Sequence, residues 1–178
     1  YRSTDGSGNS ITCLQTINVS DFTPPVITCP NNLSFKCASE VPIADVNGIA
    51  AFDNCLGAVK VEYGGDVVTV QICPNRFSIT RSYRATDVSG NVKTCVQTIS
   101  VFDQIIPLIT CPIDLNVDCS ADIPVPNPGT LVASDFCLGI VTIAHVGDSI
   151  INRICKDRYT VFRTYKATDV CGNFALCT

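Results

Sequence analysis

Apolar and polar positions alternate with a period of two along much of the chain. In the run from Arg76 to Asp87, Phe77, Ile79, Tyr83 and Ala85 share one face, and Ser78, Thr80, Ser82, Arg84 and Thr86 share the other. That period marks a strand in a sheet with one buried face. "LSFKC" (33–37) and "VKVEY" (59–63) alternate in the same way. "VITC" (26–29), "GIAAFD" (48–53), "VVTVQIC" (67–73) and "VKTCVQTISVF" (92–102) read as further strands. "PNN", "NCLG", "PN" and "SGN" separate them with turn-forming residues. No run of apolar residues has helical spacing. The pattern predicts an all-β chain. About seven short strands between Val26 and Phe102 suit an immunoglobulin-like β-sandwich, with a Greek-key barrel as the alternative. Arg81 lies in phase with the buried face, and Arg163 repeats it. The expectation is a guanidinium stacked on Tyr83 or paired with a carboxylate, its stem covering apolar surface. A ligand-binding arginine is the alternative.

The strands recur. Cys29, Cys37, Cys55, Cys73 and Cys95 return 82 residues later as Cys111, Cys119, Cys137, Cys155 and Cys177, and Cys13 precedes Cys95 by the same offset. Asp21 and Asp103, Asp53 and Asp135, Tyr83 and Tyr165, and Gly90 and Gly172 keep that spacing without net insertion. A fixed period of this kind is the signature of tandem modules. The chain therefore divides into the C-terminal strands of one repeat (1–20), a complete repeat (21–102), and a second repeat (103–178) that lacks its final strand residues. Because the period is cut within strands, the expectation is a window on a longer array.

Twelve cysteines in 178 residues change the picture from a plain β array to a stapled one. No C-x-x-C pair of the kind zinc sites use is present, so disulfides formed in an oxidising compartment are expected. The net charge of −4 argues against nucleic acid, which needs a basic face, and against a polybasic membrane contact. No apolar stretch is long enough to cross a bilayer as a helix. The single histidine, His145, has Tyr63 as its counterpart and reads as a surface strand residue. No nucleophile elbow, phosphate loop or H-E-x-x-H motif occurs, and repeated modules offer no evident cleft for paired-carboxylate chemistry, so the reading is not an enzyme.

Acidity also leaves carboxylates for a hard cation. Asp21, Asp53, Asp87 and Asn91 fall at one pole of the first repeat, and Asp103, Asp135, Asp169 and Asn173 at that of the second. Oxygen ligands converging at a module junction could hold Ca²⁺ and stiffen it. The alternative is that Asp and Asn simply build these turns. Short glycosylation-type triplets, "NVS" (18–20), "NLS" (32–34) and "DSI" (148–150), occur as well. Pro24, Pro25 and Pro107 stand where junctions are expected and restrict φ there.

"PPVITCP", "AFDNC", "YRATDVSGN" and "TCVQTISVFD", with their copies "PLITCP", "ASDFC", "YKATDVCGN" and "CT", resemble the hyalin repeat (HYR) family. The likeness is to its cysteine-rich version in giant surface adhesins of gliding and other Bacteroidetes bacteria. The resemblance implies an immunoglobulin-like fold, an extracellular or cell-surface location and a role in adhesion, without naming a ligand. Ser7 and Ser89 depart from the six-cysteine pattern, in which Cys171 is the complete form.

Immunoglobulin-like topology orders the cysteines in turn. First and last strands share a pole, which pairs Cys29 with Cys95 and Cys111 with Cys177. Cys37 and Cys73 share the far pole and are expected to pair, as are Cys119 and Cys155. The remaining loops would then join Cys137 to Cys171 and leave Cys13 and Cys55 single. The function expected is a stalk, filament or adhesin segment, each module adding roughly 30–40 Å from strands of about 8–10 residues and a linker. Its partners would be neighbouring repeats of a long chain, other copies in a filament, and a surface or glycan ligand. Accessory binding modules of a secreted enzyme, or subunits joined by strand exchange, are the alternatives.

Overall fold

The structure is a computed structural model that describes residues 1–178. It is all-β, with three single turns of 3₁₀ helix and no α-helix. No helix is long and apolar enough to cross a membrane. Residues 1–20 hold a small hairpin, β1 (Arg2–Thr4) and β2 (Ser10–Thr12), whose side chains are exposed throughout.

The first segment, 21–102, contains β3 (Val26–Ile27), β4 (Leu33–Phe35), β5 (Ala51–Phe52), β6 (Lys60–Cys73), β7 (Arg76–Thr86) and β8 (Val92–Phe102). Strands β6, β7 and β8 form an antiparallel meander, and β4 joins the free edge of β8 in parallel. β3 and β5 pair separately. The second segment repeats β3, β5, β6 and β7 with each bound shifted by 82, as β9 (Leu108–Ile109), β10 (Ala133–Ser134), β11 (Thr142–Cys155) and β12 (Arg158–Thr168), followed by β13 (Phe174–Cys177); no strand stands in the place of β4. β9 pairs with β10, and β11, β12 and β13 form a three-stranded sheet.

Six strands rather than seven form in the first segment. The runs 59–63 and 67–73 are one continuous strand, β6, with a bulge between Tyr63 and Gly65. Gly65 sits at φ +114, a conformation that only glycine adopts without strain, so the extra residue is absorbed in the strand and the chain does not turn. β3 and β5 are also shorter than the apolar runs that announce them.

β7 lies at the centre of its sheet and buries Ile79, Arg81, Tyr83 and Ala85, the face in phase along the sequence. Ile99 and Val101 of β8 complete this core. The Tyr83 hydroxyl donates to Gln97 Oε1 (3.4 Å), and Gln97 Nε2 donates to the Asn31 carbonyl, so the buried amide is satisfied. Arg81 forms a two-pronged pair with Asp66, Nε to Oδ1 and Nη2 to Oδ2, both 2.9 Å, and its Nη1 donates to the Pro42 carbonyl. Arg163 repeats this with Asp148 and the Pro124 carbonyl. His145 Nε2 lies 2.8 Å from Asp148 Oδ1.

Only 18 of 178 residues are buried. A core this thin leaves much of the stabilisation to crosslinks. Four disulfides are present: Cys29–Cys95, Cys111–Cys177, Cys37–Cys137 and Cys73–Cys171. Bonds of this kind suit an oxidising environment. Three expected pairings are therefore corrected. Cys37 is not bonded to Cys73, nor Cys137 to Cys171; all four sulfurs cross between the segments. Cys119 and Cys155 are not bonded to each other but are exposed thiols, as are Cys13 and Cys55.

The physical reason lies in the short connection from β8 to β9. The Asp103 N–H donates to the Asn75 carbonyl (3.0 Å), and Arg76 Nη2 donates to the Asp103 carbonyl (2.9 Å). The far pole of the first segment is thereby pressed against the near pole of the second. Cys37 and Cys73 do share a pole, as their strands require, but they face the next segment and not each other.

Candidate junction site

The junction is built by turns from both segments. In the first segment, the 3₁₀ turn Ala38–Glu40 follows Cys37, and Glu40 Oε2 accepts the N–H groups of Lys36 and Cys37 at 3.0 and 2.9 Å. Asn75 caps the neighbouring hairpin, and its Oδ1 accepts from the Ala38 N–H (3.0 Å). Its Nδ2 reaches across the junction and donates to the carbonyls of Cys137 (2.6 Å) and Leu138 (3.2 Å). Asn75 is 4% exposed, so both halves of its amide are used where water cannot replace them. The Cys37–Cys137 and Cys73–Cys171 bridges flank this contact. An open groove of about 620 Å³ crosses the same boundary, lined by Ser34, Phe35, Lys36 and Glu40 on one side and Ile105 and Phe136 on the other.

The loop that carries Cys171 occurs three times with one geometry. Asp169 Oδ1 accepts the N–H groups of Cys171 and Asn173, and its Oδ2 accepts from Asn173 Nδ2. Asp87 with Ser89 and Asn91, and Asp5 with Ser7 and Asn9, make the same bonds. Gly8, Gly90 and Gly172 all lie near φ +90, which is why each copy reads Gly-Asn. Partial burial raises the Asp87 carboxyl, but the bonds from Asn91, Ser89 and Gly90 outweigh it and hold the group below its ordinary range. The loop therefore forms equally well with Ser or Cys at its tip. Cysteine there serves the bridge and not the turn.

This geometry divides the eight candidate calcium ligands. Asp87 and Asp169 already accept hydrogen bonds at both carboxylate oxygens. Asn91 and Asn173 turn their amide nitrogens toward those carboxylates and toward the carbonyls of Asp21 and Asp103. These four residues build the loop.

Asp21, Asp53, Asp103 and Asp135 behave differently. Each accepts one backbone N–H at Oδ1, from Thr23, Cys55, Ile105 and Cys137 respectively. Each leaves Oδ2 buried without a partner. Asp103 and Asp135 lie together within 4.8 Å, and so do Asp21 and Asp53. Asp103 is fully buried, and this burial pushes its carboxyl up; the Ile105 N–H opposes the shift, and the charges of Asp135 and Asp169 add to it. Two neighbouring carboxylates, each with an unpartnered buried oxygen, call for a proton, a cation or a bridging water. The Cys137 sulfur beside them is in a disulfide and is no thiolate ligand.

Sequence reading missed the crossing of the bridges and the part played by Asn75. The signal available was the 82-residue period itself, which put Cys37 and Cys73 at one end of the first segment and Cys137 and Cys171 at the adjoining end of the second. No protein-family model matches the chain, and no curated protein matches it.

Proposed function

We propose that the chain is a structural segment of an extracellular array, in which tandem immunoglobulin-like modules are stapled end to end by disulfides. The reading rests above all on the two bridges that cross the junction, Cys37–Cys137 and Cys73–Cys171. Crosslinks within a module stabilise its fold. Crosslinks between modules carry tension from one to the next and limit their rotation, which is what a stalk or filament requires. β4 running parallel to β8 beside an antiparallel meander, with Cys29–Cys95 joining the chain just after β3 to β8, supports the immunoglobulin-like description. The resemblance to hyalin repeats of surface adhesins points the same way, toward adhesion at a cell surface and away from catalysis.

The test is single-molecule stretching of the chain, pulled from its termini with and without a reductant. In Cys29→Ser/Cys111→Ser, which keeps only the bridges that cross, the expected oxidised trace lacks the extension of the 100-residue stretch closed by Cys37–Cys137, and that extension appears on reduction. Identical traces would overturn the mechanical reading.

A cation at the junction is a second reading, favoured by the orphaned Oδ2 atoms of Asp103 and Asp135. Those two residues would hold a hard ion such as Ca²⁺, whose charge would offset their repulsion and bring the linker and the second segment together. Calcium at millimolar concentration would then raise the thermal midpoint of the chain, and raise it less in Asp103→Asn, which keeps the similar Asp21–Asp53 pair. An unchanged wild-type midpoint in calcium and in EDTA would remove it.

A further inference from the structure

The far pole of the second segment has the construction of the bridged pole but carries free thiols. Cys119 and Cys155 stand 82 residues after Cys37 and Cys73, and both are exposed. Their setting is already formed. Cys119 precedes the 3₁₀ turn Ser120–Asp122 with φ −127 and ψ 152, against −121 and 148 for Cys37 before its own turn. The residues closing the two turns, Ile123 and Val41, agree as closely, at −64 and 118 against −66 and 117. Ser120 Oγ donates to Asp157 Oδ1 (2.9 Å), which holds the two loops side by side as the Ala38–Asn75 bond does at the bridged pole. Arg158 occupies the place of Arg76, whose guanidinium binds the linker carbonyl.

We propose that this Cys119–Cys155 face is a covalent docking surface for a further segment of the same kind. The partner is defined by its chemistry: one loop reading Asp-x-Cys and one reading Thr-Asp-Val-Cys-Gly-Asn, as at Asp135–Cys137 and Thr168–Asn173. The inference rests on the array reading above and adds the identity of the surface and of its occupant. It continues an interface that the chain already contains. The near pole of the first segment presents a weaker form of the partner, with the exposed thiol of Cys55 in "DNC" but Ser89 in the other loop.

Bond formation needs an oxidant, and a small-molecule disulfide such as oxidised glutathione supplies it. The Cys119 thiolate attacks one glutathione sulfur, forming a mixed disulfide and expelling one glutathione thiolate. The partner's thiolate then attacks the Cys119 sulfur and expels the second. Two protein thiols become one disulfide, oxidised glutathione becomes two reduced glutathiones, and the two thiol protons pass to solvent or to the leaving thiolates. The second bridge repeats the sequence at Cys155.

One residue sets this surface apart. Asp157 replaces Asn75, and an ionised carboxylate cannot donate to the partner's loop carbonyls as Asn75 does. The next junction is therefore held more by its sulfurs than by hydrogen bonds.

The experiment extends the full chain at its C-terminus with a second copy of residues 97–178, which completes β13 and presents a further segment in register. The protein is oxidised in a glutathione buffer, and its disulfides are mapped by peptide mass. The expected bonds join Cys119 to the Cys137 of the appended copy, and Cys155 to the Cys171 of that copy. Serine at the appended Cys137 alone should leave Cys119 open to alkylation while Cys155 stays bonded. Free Cys119 and Cys155, or bonds between Cys119 and Cys155 within one segment, would overturn the proposal. Asp157→Asn should raise the bridged fraction in a fixed buffer by about two- to tenfold, the worth of one restored hydrogen bond; no rise would overturn the part assigned to Asp157. If Cys37 and Cys73 map to Cys137 and Cys171 while the appended segment stays unbridged, this inference fails and the proposed function stands. If every junction bridges but stretching shows no tension carried across them, the proposed function fails instead.

Discussion

Cutting the linker between the segments separates the crossed pairing from the pairing within modules. A protease site placed at 104–105 divides the chain into two fragments. With Cys37–Cys137 and Cys73–Cys171 bonded, the cut protein should run as one 19.0 kDa species without reductant and as two fragments with it. The same bridges set a magnitude. The loop closed by Cys37 and Cys137 spans 100 residues, for which loop entropy alone gives about 4.7 kcal/mol. The Cys29–Cys95 bond shortens it: eight residues lead from Cys37 back to Cys29, and 42 from Cys95 on to Cys137. A loop of about 50 residues corresponds to roughly 4 kcal/mol, at the upper end of what disulfides contribute. The double variant Cys37→Ser/Cys137→Ser should thus lose about 3–4 kcal/mol, a fall in thermal midpoint of roughly 6–16 °C for a chain of this size. Differential scanning calorimetry of the uncut protein measures it. Separation of the cut chain into two fragments without reductant would refute the crossed pairing outright. A midpoint unchanged by the double substitution would refute the loop-entropy reasoning even if the bonds are there.

Removing Asp66 should cost more than removing Asp148, because the Arg81 side chain left behind is 5% exposed and that of Arg163 is 19% exposed; about 3 kcal/mol is expected for Asp66→Ala by urea unfolding. Asp148 is held down to about 2, first by its hydrogen bond from Arg163, so its stabilisation is complete above the ordinary carboxylate range near 3.8 and is lost as pH falls through about 2. With solvent screening it amounts to roughly 1 kcal/mol, so the wild type and Asp148→Asn should differ by that at pH 6 and converge near pH 2. Asp103 has the opposite sign: a raised carboxyl binds its proton more tightly in the folded state, so its burial costs stability as pH rises above 3.8. Relative to Asp103→Asn, the metal-free wild type should therefore gain urea stability between pH 7 and pH 4, and a constant difference would contradict the buried pair. Asn75→Ala removes donors to two carbonyls and an acceptor for Ala38, and should lower stability by about 2 kcal/mol without altering the disulfide map.

The alternation in β7 was legible because a central strand with one buried face has no freedom to place its apolar residues elsewhere. The pairing of Arg81 with a carboxylate was legible for a related reason, since a charge in phase with the core requires a counter-charge. The union of 59–63 with 67–73 was not. Gly64 and Gly65 read equally as a turn or a bulge, and only the register with β7 decides between them. The eight candidate ligands were legible as residues at one pole, but not by role. Asp87 and Asp169 differ from Asp21 and Asp103 in that an Asn four residues later adds its own N–H at Oδ1 and its amide at the second oxygen. The cysteine poles followed from the strand order, whereas partner choice depended on how closely two segments approach, a property of the Asp103–Pro107 linker and the Asn75 contact.

That dependence bears on the serine at position 89. A linker and one disulfide connect two bodies at two points and leave rotation about the line between them. A linker and two disulfides connect them at three points, and three points off a common line fix an orientation. At the junction within this chain, Cys137 and Cys171 lie on separate loops, and their partners Cys37 and Cys73 close separate strands, so the third point is off the line. A junction made on the near pole of the first segment has Cys55 but Ser89, and so at most one bridge. The turn itself is unaffected, because Asp87 and Asn91 build it as Asp169 and Asn173 do. Substituting one sulfur by oxygen at the loop tip would therefore turn a rigid joint into a hinge without disturbing either module.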